Sequence, residues 1–380
     1  MTSLHCHICD SKQTKGIAGL SEFGQVSSDC RPWPRGAELI HCEKCGTVQK
    51  VLTDAWQKDI EKIYAEYQIY PQASGAEQKS FDLSDGSALS RSAKILLQFS
   101  KHHQVPAAGK MLDFGCGNGA MLSSFGNAYP QWDLSGMEFG DKYRDHIMAF
   151  PGVSAFYDGQ VDEVPEGFDV ITLIHSLEHV PHPIELLKTL ESKLAPQGML
   201  IIQVPYFAEN PFDLLVADHC SHFTPESLEN LACRAGLKIE VLSSSWVPRE
   251  LSMVVTRASE TIGVPIASGS DLTLGERQLA WLDSLVTEIE NIETPEIGIF
   301  GASIAATWVA SMTKKNVAFF LDEDPTRIGH QHLGAPIISP SDCPAGARVV
   351  LPFVEGTARA IANRLSDLPI QFVAADQRWN

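Results

Sequence analysis

Residues 111–119 read Met-Leu-Asp-Phe-Gly-Cys-Gly-Asn-Gly, and this run decides the fold. Met111 and Leu112 end an apolar segment, an acid follows at Asp113, and glycines alternate at Gly115, Gly117 and Gly119. Alternating glycines after a strand let the backbone turn tightly and approach a ligand closely, with the next helix aiming its N-terminus there. Alone, such a run also fits a nicotinamide site or a ligand-free turn. Two acids narrow it. Asp113 stands where a dinucleotide fingerprint is usually apolar, and Glu138 ends the next apolar segment, placed to take a pair of ribose hydroxyls.

This set resembles motif I and the second-strand acid of class I S-adenosylmethionine (SAM) methyltransferases. The resemblance implies SAM bound across the carboxyl ends of a parallel sheet. Asp113, Gly115 and Gly117 would line the methionine part and the ribose, and Glu138 would hold the ribose hydroxyls. Asp158 and Gly159, after the third strand, are candidates for the adenine edge, with a solvated turn as the alternative for Asp158. Strands are expected at 110–114, 133–138, 153–157, 168–174, 198–203 and near 238–243. Helices are expected near 119–128, 141–149, 183–193 and 225–235, alternating with the strands as a parallel α/β sheet requires.

Composition sets limits. The chain has 380 residues, 29 basic and 47 acidic side chains, and a formal net charge of −18. Such a surface repels phosphate backbones and argues against a nucleic-acid partner. No apolar run reaches the roughly 18–20 residues that span a bilayer. With no apolar signal segment at the N-terminus, a cytoplasmic protein without a membrane partner is expected. The nine cysteines then read as metal ligands or buried thiols rather than disulfides.

Four of them form two Cys-x-x-Cys turns, Cys6 with Cys9 and Cys42 with Cys45. Two such turns can complete a tetrahedral, four-thiolate structural zinc site, and a fragment of about 45 residues with so little core needs such a staple. A zinc-binding module is therefore expected over 1–55, followed by a helical connector over 56–104, with helices over 54–70 and 88–103. The SAM-binding domain is expected over 105–256, a linker and connecting helix over 257–294, and a smaller Rossmann-like α/β domain over 295–380. In that last domain Gly301-Ala-Ser303 and Asp322 form a weak candidate phosphate loop.

Histidines crowd the ends of the fourth and fifth strands. The fourth ends in Ile174-His175-Ser-Leu-Glu178-His179, and the loop after the fifth runs through Asp213 to Asp218-His219-Cys-Ser-His222-Phe-Thr224. A histidine beside a carboxylate is the usual proton acceptor near neutral pH, so Asp218–His219 reads as the candidate base. His179 is a further catalytic candidate and His175 a cofactor-side contact. His222 reads as packing and capping against Thr224-Pro225.

The order of zinc module, SAM domain and small C-terminal α/β domain resembles the sugar C-methyltransferases. Cys6-x-x-Cys9, Cys42-x-x-Cys45-Gly-Thr-Val-Gln49, Tyr67-Gln-Ile-Tyr70 and Asp218-His219 followed by Phe223-Thr224 carry the likeness. The resemblance implies C-methylation of a nucleotide-activated 4-keto-deoxysugar through an enolate, by a monomer or homodimer. His219 would be the base, with Asp218, His179 and Tyr70 beside it. An O- or N-methyltransferase on the same scaffold is the alternative. Three departures stand out. Val216-Ala-Asp218-His219 replaces Tyr-x-Glu-His, His175 replaces a common Asn, and the loop between the cysteine pairs lacks Pro-Leu-Ala-Asn.

Overall fold

The computed structural model describes residues 5–69, 71–77, 79–81, 88–159, 161–260 and 271–375. Seven strands form the central sheet: β1 (Lys110–Phe114), β2 (Asp133–Glu138), β3 (Val153–Asp158), β4 (Phe168–Ile174), β5 (Leu194–Pro205), β6 (Leu237–Ser243) and β7 (Glu250–Arg257). Their order is β3-β2-β1-β4-β5-β7-β6. All run parallel except β7, which is antiparallel to both β5 and β6. This is the class I SAM methyltransferase fold expected from the sequence. Leu200, Ile201 and Ile202 on β5 are each 0% exposed, as a strand covered on both faces requires. Strand order reverses between β1 and β4, which opens a crevice at their carboxyl ends.

The expected strands are all present, and β7 is an addition. Its sequence, Glu-Leu-Ser-Met-Val-Val-Thr-Arg, is an apolar run that only its pairing with β5 and β6 marks as a sheet strand. The helix expected over 54–70 ends at Ala65. Beyond it, tertiary partners claim the backbone: Gln68 N donates to Asp29 and Lys142 Nζ to the Tyr67 carbonyl. The helix expected over 88–103 spans Arg91–His102, capped by the Ser90 hydroxyl, which accepts from Ala93 N. Residues Ala88–Ser90 pair instead with Lys79–Phe81 as a short antiparallel ribbon. Thr224 caps the helix Pro225–Arg234 in a reciprocal capping box with Ser227, as its Thr-Pro start suggests.

The N-terminal segment forms a four-stranded antiparallel sheet in the order Thr14–Ile17, Leu39–Cys42, Val48–Lys50 and Ser221–His222. The fourth strand belongs to the loop after β5, so the histidine-bearing loop is paired directly to the cysteine module. The C-terminal segment folds around parallel strands Asn316–Leu321, Glu296–Phe300, Arg348–Val350 and Gln371–Val373. The connecting helix Leu274–Glu290 carries an apolar stripe. Leu279, Leu282, Leu285 and Ile289 join one core with Ile17, Leu20 and Phe23 on one side and Ile297 and Trp308 on the other. Trp308 Nε1 closes this core by donating to the Gly24 carbonyl at 2.9 Å. Part of the expected linker, residues 261–270, lies outside the described residues. Among the described residues no helix is long and apolar enough to cross a membrane.

Candidate active site

The glycine loop lies at the β1 end of the crevice. Gly115, Gly117 and Gly119 have φ of +71°, +53° and +85°, a region that side chains rarely tolerate. A Cβ on Gly115 would stand 2.3 Å from Ser176 Oγ, and one on Gly117 2.9 Å from Ile69. Gly117 N donates to Glu138 Oε2 at 2.7 Å and Phe139 N to Oε1 at 2.8 Å. Glu138 thus sits half-buried beside the loop, as a ribose acceptor must. Asp158 is exposed at the end of β3, paired in register with Glu138, and accepts from Gly140 N at 2.9 Å. Gly159 N donates to the Glu138 carbonyl at 3.2 Å. Asp158 and Gly159 therefore shape the turn next to Glu138. Phe139, 82% exposed at this rim, is an apolar face that the sequence reading passed over. Replacing Glu138 with alanine removes a charged acceptor, so SAM affinity is expected to fall about 10- to 100-fold, as titration calorimetry would measure.

Asp113 is 2% exposed and accepts from Thr172 Oγ1 on β4 at 2.6 Å. Burial pushes its carboxyl up to about 7, outweighing that hydrogen bond. A raised acid binds its proton more tightly folded than unfolded, so its charge opposes folding as pH rises from about 4 to about 7. Asp113→Asn is therefore expected to raise the melting temperature at pH 8 and to leave it unchanged near pH 4. The gain has a ceiling of about 4 kcal/mol. Thermal melts across that pH range would check it.

Histidines and carboxylates meet at the β4 end. Asp213, in a 3-10 turn Pro211–Leu215, holds His219 Nδ1 and His222 Nδ1, each at 2.6 Å. Asp218 accepts from Ser28 N at 2.8 Å and Ser28 Oγ at 2.5 Å, and lies 3.3 Å from His179 Nδ1. The expected couple Asp218–His219 is therefore re-partnered. The chain turns at Ala217–Asp218, with His219 N donating to the Val216 carbonyl at 3.2 Å; Asp218 lies beside His179 and His219 takes the more distant Asp213. His222 is likewise held by Asp213 rather than by the helix start. The His179 and His219 rings stand perpendicular with centroids 4.6 Å apart. A carboxylate can only accept, so Nδ1 of His219 carries the proton and Nε2 presents its lone pair. Burial pushes His179 down, but Asp218 and Glu178 outweigh it and hold the imidazole up at about 9. The partner histidines hold both Asp213 and Asp218 well below the usual carboxylate range, against the effect of burial.

His175, at φ +52°, sits in a chain of buried charge. Arg91 Nε donates to Glu250 Oε1 at 3.0 Å, Glu250 Oε2 lies 3.2 Å from His175 Nε2, and His175 Nδ1 lies 3.1 Å from Glu178 Oε1. Neither Arg91, Glu250 nor Glu178 stood out in sequence, because each meets His175 only through the fold. Lys50 is another such residue. It is 1% exposed, and its ammonium donates to the Val216 carbonyl beneath the histidine loop. Burial lowers its pKa to about 8, against the pull of Asp218 and Asp213. Tyr70 lies outside the described residues. Tyr64 supplies a hydroxyl 3.2 Å from His179 Nδ1.

The N-terminal module holds the histidine loop in place. Ala217 N donates to the Val26 carbonyl at 2.8 Å and Trp56 Nε1 to the Ala217 carbonyl at 3.1 Å. In the module, Cys6 and Cys45 sulfurs lie 3.4 Å apart, as do those of Cys9 and Cys42. All four sulfurs fall within 4.8 Å of one another. Sulfurs about 2.3 Å from a shared ion would be under 4 Å apart, so the donor set fits a tetrahedral zinc. In the C-terminal segment the Gly301-Ala-Ser303 turn is filled from within: Asp322 Oδ2 accepts from Ala302 N at 3.0 Å and from Arg327 at 3.1 Å. That carboxylate occupies the place a phosphate would need.

Comparison with known proteins agrees with this geometry. A family described as "Methyltransferase domain" matches residues 88–242. Ubiquinone biosynthesis O-methyltransferase of Nitrosospira multiformis is 25% identical over 179 residues, 40% of this chain and 73% of that protein. The mitochondrial ubiquinone biosynthesis O-methyltransferase of Schizosaccharomyces pombe is 33% identical over 100 residues, 24% of this chain and 36% of that protein. C-methyltransferase NovU of Streptomyces niveus is 29% identical over 148 residues, 34% of this chain and 33% of that protein. The chain thus spans about a third of the length of the last two. Residues 88–242 are a SAM-dependent methyltransferase domain.

Proposed function

We propose that this protein methylates a carbon of a nucleotide-activated 4-keto-deoxysugar, using SAM and an enolate. The observation that carries the reading is the pair of buried imidazole–carboxylate couples, His219–Asp213 and His179–Asp218, set ring to ring beside the SAM crevice. SAM supplies an electrophilic methyl group when bound. Glu138 and the Gly115–Gly119 loop hold it across the crevice. His219 Nε2 removes the proton from the carbon next to the ketone, and Asp213 stabilises the imidazolium that forms. His179, held charged by Asp218, faces the ketone oxygen as negative charge develops there. Burial of both couples keeps water from competing for the enolate. Four cysteines, Cys6, Cys9, Cys42 and Cys45, hold a structural zinc with no open position for chemistry.

The similarity to NovU supports transfer to carbon. The ubiquinone relatives favour a second reading, O-methylation, in which His219 takes a hydroxyl proton instead. Incubating the protein with SAM and a panel of nucleotide-linked keto-sugars in heavy water separates the two. Methyl gain with deuterium entering beside the ketone is expected for the enolate route. Methyl gain on oxygen, located by fragmentation, would overturn C-transfer. No gain on any keto-sugar would overturn the substrate class.

A further inference from the structure

We propose that Glu178, His179 and His219 form a binding site for a divalent transition ion, and that ion occupancy and proton removal by His219 exclude each other. One donor atom from each of the three residues lies within 4.8 Å of the others. Two imidazoles and one carboxylate are a donor set for zinc, cobalt, nickel or iron(II), not for magnesium or calcium, which prefer oxygen. Their surroundings match as well. A ligating histidine generally gives its other ring nitrogen to a carboxylate, which fixes the ring and raises its basicity. Here His219 has the Asp213 carboxylate, and His179 has the Asp218 backbone carbonyl at 3.0 Å with the Asp218 carboxylate at 3.3 Å. Neither Nε2 makes a hydrogen bond to a described residue, so each is left for a ligand.

Glu178 supplies an independent sign. It is 0% exposed. Its Oε1 is engaged by His175, whereas Oε2 is buried without a hydrogen-bond partner. An unsatisfied buried carboxylate oxygen is costly, and a cation between the two histidines would satisfy it. The turns are tied to each other: Cys220 N donates to the Glu178 carbonyl at 2.8 Å, so the histidine loop cannot drift from the carboxylate. The site differs in kind from the cysteine site, which offers only sulfur.

The exclusion follows from electron pairs. His219 Nε2 has one lone pair, which can form a bond to a metal or take the carbon-bound proton, not both. Binding needs no SAM, so its measurement stands apart from the methyl-transfer reading. The experiment is a Co2+ titration of the protein carrying one equivalent of zinc, read by visible absorption and by metal content after gel filtration. One equivalent of cobalt beyond the zinc is expected, with ligand-field bands and without thiolate charge transfer. Glu178→Gln and His219→Asn are each expected to weaken it at least about 100-fold. Glu178→Gln keeps the side-chain shape, and SAM binding reports that each variant remains folded. Absence of a second equivalent, or its survival in His219→Asn, would overturn the site. Methyl transfer that rises with cobalt over the binding range would overturn the exclusion, whereas loss over that range supports it.

Discussion

Replacing His219 with alanine is expected to lower the rate of methyl transfer about 100- to 10,000-fold, the usual span for losing a general base, while SAM affinity changes little. The imidazole is bonded to Asp213, whereas Glu138 is bonded to Gly117 and Phe139. Its value is directional. Asp213 holds Nδ1 at 2.6 Å, so the proton sits on that nitrogen and the lone pair is left on Nε2. Asp213→Asn is a sharper probe of the same point. An amide can present its N–H₂ to Nδ1 and reverse the tautomer, which leaves Nε2 protonated and unable to accept. Its rate loss is expected to approach that of His219→Ala, although the histidine is still present. Single-turnover kinetics with calorimetric SAM binding would check both. A His219→Ala enzyme within tenfold of the parent would remove His219 from the chemistry.

Removing the zinc proposed for the cysteine module is expected to cost both stability and turnover. Structural zinc in small peptide modules contributes about 10–16 kcal/mol of apparent binding energy that is also folding energy. In this protein the cysteine module is bonded to the histidine loop. Val48–Lys50 pairs with Ser221–His222, and Val26, Ser28 and Trp56 bond directly to the Ala217–Asp218 stretch. Strong chelation, or Cys42→Ser, should therefore lower the melting temperature and abolish methyl transfer. SAM should still bind, because β1, β2 and their glycine loop make none of these contacts. Metal analysis, melts and calorimetry on one sample would test it. Unchanged turnover in fully chelated protein would show that the histidine loop is held by other means.

The glycine loop and its neighbouring acid, the proposed cofactor half of the site, were legible in sequence because they are local. Asp113 to Gly119 is one strand end and one turn, and Glu138 is the end of the next strand. Periodicity and glycine spacing report such features directly. The acceptor half was legible only as composition. His179, His219 and Asp218 were marked, but their pairing was not, since Asp213 reaches His219 by a turn that no short motif records. Glu178, Lys50, Glu250 and Arg91 come from four different elements. Their charges look like ordinary surface residues until the fold buries them. The cysteine pairs were visible as a candidate metal site, but not as a neighbour bonded to the histidine loop. That link is a strand pairing between Gln49 and Ser221, 172 residues apart (221 − 49), and sequence carries no local trace of it.

That pairing also bears on how the chain is made. During synthesis the strand Val48–Lys50 leaves the ribosome long before its partner. Until Ser221–His222 arrives, its outer backbone N–H and C=O groups form an open sheet edge, a template for pairing with another chain. Lys50 lies on that edge as a charge that discourages a foreign strand, and it is buried under Val216 only when the histidine loop docks. A side chain that ends as part of the site's floor thus begins as a guard for the nascent protein.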